Sequence, residues 1–220
     1  MPRGLLLDLD GTLADTAPDL AAALNAVLKE EGRSPLPFPR IRPHVSFGAP
    51  RLVHLGFGDD LAQTEFQRLR ERLLSNYAQG LCRETRLFDG FDAVLDRLER
   101  EGMPWGIVTN KPGWLTEPLV EAMNLHHRAS SVVSGDTLAR RKPHPDPLLH
   151  AAAEMGVAAA DCVYAGDARR DIEAGMAAGM LTVGVTWGYI PDEDPPHGWG
   201  ATHLIAHPSE LLDLMTGGTR

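Results

Sequence analysis

The chain has 220 residues, 43% hydrophobic and 23% charged, which is enough apolar material for one large core or one core carrying an insertion. Its formal charge of −9 argues against a nucleic-acid binder, which needs a basic face. Two cysteines, Cys82 and Cys162, form no C-x-x-C pair, so reduced thiols are expected rather than a disulfide framework. The apolar start Leu5-Leu6-Leu7 is cut at once by Asp8, unlike a signal peptide, and no apolar run nears the roughly 20 residues of a membrane span. A cytoplasmic protein without membrane association is expected. Oligomeric state, monomer or homodimer, stays open.

In chain order, Gly4–Leu9 is a short, nearly continuous apolar run, the pattern of a strand buried on both faces of a parallel sheet. The next stretch, Thr16 to Arg83, holds no strand candidate. Thr16-Ala17-Pro18-Asp19 has the form of a capping box. Leu20, Leu24, Val27 and Leu28 then line one helical face, and after a proline-rich passage Phe66, Leu69, Leu73 and Tyr77 recur at helical spacing. Residues 16–85 carry nine Lys/Arg and eight Asp/Glu, while the rest of the chain carries twelve and twenty-two. An Arg-rich segment inside an acidic protein fits an anionic substrate, and it fits equally well a subdomain with its own solvated surface.

Beyond this insertion the apolar runs return at Pro104–Thr109, Ser131–Val133, Cys162–Ala165 and Leu181–Val185, with a further candidate at Leu204–Ala206. Helical patterns lie between them, including Phe91, Val94, Leu95 and Leu98 before Gly102, and Ile172–Ala178 before Gly179. Strands alternating with helices predict an α/β domain built on a parallel sheet, with an all-helical insertion after its first strand.

Polar residues gather at the predicted carboxyl ends of these strands, where open parallel sheets bind ligands. Asp8-Leu9-Asp10-Gly11-Thr12-Leu13 ends the first strand; alternation places Asp8 and Asp10 on a common side, and Gly11 permits the turn that follows. Two carboxylates so close repel, which suits one that attacks and one that handles a proton. Thr109-Asn110-Lys111 ends a later strand and offers a hydroxyl and free N–H groups for phosphate oxygens. Lys142 supplies a cation within Arg141-Lys142-Pro143-His144-Pro145, and Gly166-Asp167-Ala168-Arg169-Arg170-Asp171 adds two carboxylates. Singly, each has a bland explanation as a strand terminus, a surface lysine or a helix cap. Their joint placement is harder to attribute to chance.

With these four elements the sequence resembles the haloacid dehalogenase superfamily, in its phosphatase branch, over nearly the whole chain. Trp187-Gly188-Tyr189-Ile190 and Trp199-Gly200-Ala201 resemble the phosphoglycolate phosphatase subgroup, and within it phosphatases acting on N-acetylmuramic acid 6-phosphate. The resemblance implies a Rossmann-like core at residues 1–14 and 86–220, with residues 15–85 as a helical cap. It implies Asp8 as nucleophile, Asp10 as acid and base, and Thr109 and Lys142 as holders of the phosphoryl group. Magnesium is implied on Asp8, the Asp10 carbonyl and Asp167, with Asp171 close behind.

Substrate contacts are expected at Gly11, Thr12 and Asn110. The segment Val45-Ser46-Phe47-Gly48-Ala49-Pro50-Arg51 resembles a glycine-containing loop that dips into the site in relatives, which adds Ser46, Gly48 and Arg51. Either Arg51 or Arg42 suits a substrate carboxylate. The expected activity is hydrolysis of a small acidic phosphomonoester. The alternatives are a phosphomutase, a dehalogenase (against which Asp10, Asp167 and Asp171 speak) and a non-catalytic binding or regulatory protein on the same fold.

Overall fold

A computed structural model of the chain describes residues 1–216. Six parallel strands form one sheet: β1 (Gly4–Leu7), β4 (Trp105–Val108), β5 (Ser131–Val133), β6 (Cys162–Gly166), β7 (Leu181–Val185) and β8 (His203–Ile205). Their order is β5-β4-β1-β6-β7-β8, so β1 lies inside the sheet between β4 and β6. Every predicted strand is present within a residue or two of its expected ends.

The period-2 alternation of β1 sorts its side chains between two cores. Leu5 and Leu7 pack with α5 (Phe91–Arg100), α6 (Gly113–Ala122) and α9 (Glu210–Thr216); Leu6 faces α7 (Asp146–Glu154) and α8 (Arg169–Ala177). Both sheet faces are therefore covered by helices, and the strands read as unbroken apolar runs for that reason. The four buried apolar positions of α5 are the four named from its periodicity.

A two-stranded antiparallel ribbon, β2 (Ala14–Asp15) with β3 (Arg86–Leu87), joins the sheet to the intervening segment. That segment contains α1 (Ala17–Glu30), α2 (Phe38–Ile41), a 3-10 turn at Arg42–Phe47, α3 (Gly48–Phe57) and α4 (Gln63–Gln79). These helices share an apolar cluster of their own, built from Leu20, Leu24, Val27 and Leu28 of α1, Leu52 and Val53 of α3, and Leu69, Leu73 and Tyr77 of α4. No described helix is long and apolar enough to cross a membrane.

The capping box expected at Thr16–Asp19 does not form. Thr16 has helical dihedrals, and its hydroxyl donates to Asp10 Oδ1 at 2.5 Å instead of closing on its own helix. The Asp19 carboxylate accepts from the Glu84 and Thr85 amides and from the Thr85 hydroxyl, which tether the chain returning from α4. The first amides of α1 are met from the other end of the chain: the Tyr189 phenol oxygen accepts from Thr16 N at 2.6 Å and Ala17 N at 2.9 Å. A tertiary cap has displaced a local one.

Candidate active site

Asp8 follows β1 directly, and its buried carboxylate lies in the wall of a cavity of about 620 Å³ between the sheet and the helical segment. The cavity also takes in Asp10, Thr109, Asn110 and Lys142 from the strand ends, and Ser46 and Gly48 from the helical side. Seven of the residues expected from the sequence thus share one space.

Gly11, Thr12, Asp167 and Asp171 lie behind that wall rather than on it. Gly11 has φ +87°, and a Cβ there would stand 2.0 Å from Asp167 Oδ2, so only glycine lets this turn pack against the acidic loop. Gly188 has the same role from the other side, where a Cβ would fall 2.3 Å from that of Asp167. Thr12 is fully buried, and its hydroxyl has no partner among the described residues.

Lys142 is the electrostatic hub. Its ammonium is 2.8 Å from Asp8 Oδ1 and 2.8 Å from Asp171 Oδ1, and it donates to the Val108 carbonyl and the Tyr164 hydroxyl at 2.7 Å each. Asn110 holds its main chain in place, donating to the Lys142 carbonyl at 2.9 Å and accepting from the Lys142 amide at 3.1 Å. The Thr109 hydroxyl accepts from the Lys111 amide at 3.1 Å.

Asp8, Asp167 and Asp171 each offer an oxygen within 4.8 Å of the other two, in a buried group. Asp171 is fully engaged, with one oxygen on Lys142 and the other accepting the Ala168 amide. Asp167 Oδ2 accepts from the Ser46 hydroxyl at 2.6 Å and the Tyr189 amide at 2.8 Å, while its Oδ1 is buried without a partner among the described residues. Burial pushes the Asp167 carboxyl up to about 7, with the charges of Asp8 and Asp171 adding to the rise. Burial also raises Asp8, against the opposing pull of Lys142. Burial works in the same direction on Asp171, but Lys142 and Arg170 together hold it below the usual carboxylate range.

An orphaned carboxylate oxygen between two further carboxylates is the setting that a hard divalent cation completes. The residues therefore fit a metal ion, with Asp8 and Asp167 as the side chains best placed to hold it.

Two partners of this site went unnoticed in the sequence. Lys111 is nearly buried, and its ammonium donates to Asp10 Oδ1 at 2.9 Å while lying 4.5 Å from the centroid of the Tyr77 ring. Its place two residues after Thr109 was the available signal. Arg170 lies among Asp8, Asp167 and Asp171, whose charges keep it protonated against burial. Lys111, Lys142 and Arg170 leave the four site aspartates with a surplus of one negative charge.

The arginines of the helical segment expected to meet substrate lie elsewhere. Arg51 does not line the cavity. Arg42 donates to the carbonyls of Gly188 and Trp187 at 3.0 and 3.3 Å and lies over the Tyr189 ring, so it ties the helical segment to the loop after β7. The arginines that do reach the cavity are Arg70, Arg141 and Arg170.

Residues 5–185 match the family model of the haloacid dehalogenase-like hydrolases. The chain belongs to that family. It is 44% identical to a phosphoglycolate phosphatase of Xanthomonas campestris pv. campestris, covering 96% of each chain. It is 38% identical to an N-acetylmuramic acid 6-phosphate phosphatase of Pseudomonas aeruginosa, covering 97% of this chain and 94% of the relative. A crystal structure of a predicted phosphoglycolate phosphatase from Haemophilus somnus superposes with a TM-score of 0.86 at 26% identity, covering 96% of this chain and 97% of that one. This haloacid dehalogenase-like hydrolase is a phosphatase of the family.

Proposed function

We propose that this phosphatase is magnesium-dependent and hydrolyses a small acidic phosphomonoester through a phosphoryl group carried on Asp8. The observation that carries the reading is the Asp8 carboxylate in the cavity wall, with Oδ1 held by Lys142 and with Asp167 and Asp171 clustered behind it.

With one Asp8 oxygen fixed on Lys142, the other is free to attack phosphorus, which splits one difficult displacement into two easier ones. Asp10 hands a proton to the leaving oxygen and later takes one from the water that hydrolyses the acyl phosphate. The Lys111 ammonium and Thr16 hydroxyl on Asp10 Oδ1 orient that carboxylate and leave Oδ2 for the proton. Lys142 and the Thr109 backbone and hydroxyl steady the phosphoryl oxygens. Asp8, the Asp10 carbonyl and Asp167 would hold Mg²⁺, with Asp171 orienting Lys142 behind them. When bound, Mg²⁺ supplies positive charge against the phosphate, in a site where like charges about 4 Å apart repel by roughly 4 kcal/mol at an effective dielectric near 20.

Residues 15–85 act in this reading as a cap over a core of residues 1–14 and 86–220. Ser46 and Gly48 bring the cap to the site, Ser46 through Asp167. The relatives' names supply two substrate types, phosphoglycolate and N-acetylmuramic acid 6-phosphate. The cavity volume supports the bulkier one: at about 30 Å³ per water-sized unit it takes on the order of twenty such units, far more than a two-carbon ester fills. Leu20, Leu74, Tyr77 and Leu115 give it an apolar wall suited to the methyl groups of an amino sugar.

The test is Asp8→Asn, which keeps the shape and removes the nucleophile. Phosphate release from N-acetylmuramic acid 6-phosphate with Mg²⁺ should fall by at least about a thousandfold, as expected for loss of a covalent nucleophile. Near-normal turnover would refute the covalent route. Phosphoryl transfer to a sugar hydroxyl without stoichiometric release of inorganic phosphate would mark a mutase.

A further inference from the structure

The middle of α4 carries three arginines, and two of them are committed elsewhere. Arg68 donates to Glu31 and Glu65, and Arg72 donates to Glu30 at 2.6 Å, both on the exposed face of the helix. Arg70 is rotated away from them. It shares a face with Leu74 and Tyr77 at i, i+4 and i+7, and all three line the cavity that contains Asp8. Its guanidinium has no hydrogen bond or salt bridge among the described residues, although the acidic protein around it offers carboxylates to its neighbours on either side.

A half-buried cation left unpaired in a cavity wall is an electrostatic cost unless a ligand meets it. The phosphoryl position by Asp8 already has Lys142 and the strand-end donors. Arg70 is on the opposite, helical wall, where it also borders the shallow groove running out past Pro112 and Trp114. Two other cavity arginines also lack a hydrogen bond or salt bridge among the described residues: Arg141 is exposed and screened by water, and the buried Arg170 is balanced by the charges of Asp8, Asp167 and Asp171. Among the carboxylates of the wall, Asp136 accepts from the Gly113 amide at 2.7 Å, and Asp8 and Asp10 are held by Lys142 and Lys111.

We infer that Arg70 is the specificity residue that recognises a second anionic group, a carboxylate, at the end of the substrate remote from the phosphate. Its planar fork matches a carboxylate through two parallel N–H donors, which a lysine cannot reproduce. This rests on the phosphatase reading and assigns a carboxylate anchor within it. The substrates are then phosphomonoesters of carboxylic acids, discriminated from counterparts without the carboxylate at the cap and not at the nucleophile.

The experiment compares two pairs: N-acetylmuramic acid 6-phosphate against N-acetylglucosamine 6-phosphate, which lacks the whole lactyl ether, and phosphoglycolate against ethyl phosphate, which has a methyl group in place of the carboxylate. Wild type should prefer the acid of at least one pair, and Arg70→Gln should cut that preference in kcat/KM by about ten- to a hundredfold, mainly through KM. Arg70→Lys should restore only part of it, and Arg72→Gln should keep the wild-type ratio. Calorimetric binding of the same pairs to Asp8→Asn, with and without Arg70→Gln, reads the discrimination without turnover. A wild-type ratio near one in both pairs, a ratio unmoved by Arg70→Gln, or a ratio abolished by Arg141→Gln in its place would overturn the assignment. Failure of the phosphatase reading shows separately, as absence of phosphate release from all four esters, and the binding arm still decides the role of Arg70.

Discussion

Tyr189→Phe isolates one oxygen atom that joins the two ends of the chain. The ring is fully buried between Phe88 and Arg42 of the helical segment, so phenylalanine fills the same space. The phenol uses its whole bonding capacity: it accepts from Thr16 N and Ala17 N and donates to Asp15 Oδ1 at 2.8 Å. Deleting it orphans two amides at the buried start of α1, each costing about 1–3 kcal/mol, while the part-exposed Asp15 carboxylate recovers water. The expected loss is about 3 kcal/mol. At about 2–4 °C per kcal/mol for a chain of this size, Tm falls by about 6–12 °C. Urea unfolding followed by circular dichroism should show the midpoint moving with an unchanged m-value. The Tyr189 amide on Asp167 is main chain and survives the substitution, so Mg²⁺ affinity should fall less than stability does. A loss under about 1 kcal/mol would refute the reasoning, because water would then be replacing the phenol as the cap of α1.

Metal binding should depend on pH through Asp167, which burial and its acidic neighbours raise to about 7 against an ordinary 3.8. A carboxyl raised on folding contributes stability that is full below its unfolded pKa and is lost as pH climbs through the folded value. The metal-free protein should therefore lose stability from pH 6 to 8, and Mg²⁺ should raise Tm more at pH 8, where no proton has to leave. A Mg²⁺-induced shift that is the same at both pH values would contradict the assignment. Lys111→Met removes the ammonium from Asp10 and should lower kcat by about tenfold or more, since positioned acid–base groups contribute roughly 10²–10⁴. Steady-state kinetics with kcat unchanged would leave Lys111 a structural ion pair only.

Features governed by neighbours in sequence were legible. Short, nearly continuous apolar runs located β1, β4, β5, β6 and β7, and the 3.6-residue spacing identified the buried face of α5 and the helices of the insertion. Strand ends converge in a parallel sheet, so the placement of Asp8, Thr109, Lys142 and Asp167 around one site also followed from the alternation of elements. Thr16–Asp19 misled because a capping box is a local preference worth about 1 kcal/mol. Asp10, six residues upstream, took the Thr16 hydroxyl, while Thr85 and Tyr189 offered the other groups buried partners from distant parts of the chain.

Sequence alone therefore determined the alternation of strands and helices, the helical insertion and the four polar clusters, because each depends on periodicity or on residues a few positions apart. Tertiary structure alone decided which arginine of the helical segment reaches the cavity, that Lys111 pairs with Asp10, that Ser46 touches Asp167 and that Tyr189 caps α1. The hydrogen-bonded contacts among these span 101 to 173 residues and are set by how elements distant in the chain dock on one another. A helix period says which side chains share a face; only the docked neighbours say what that face meets.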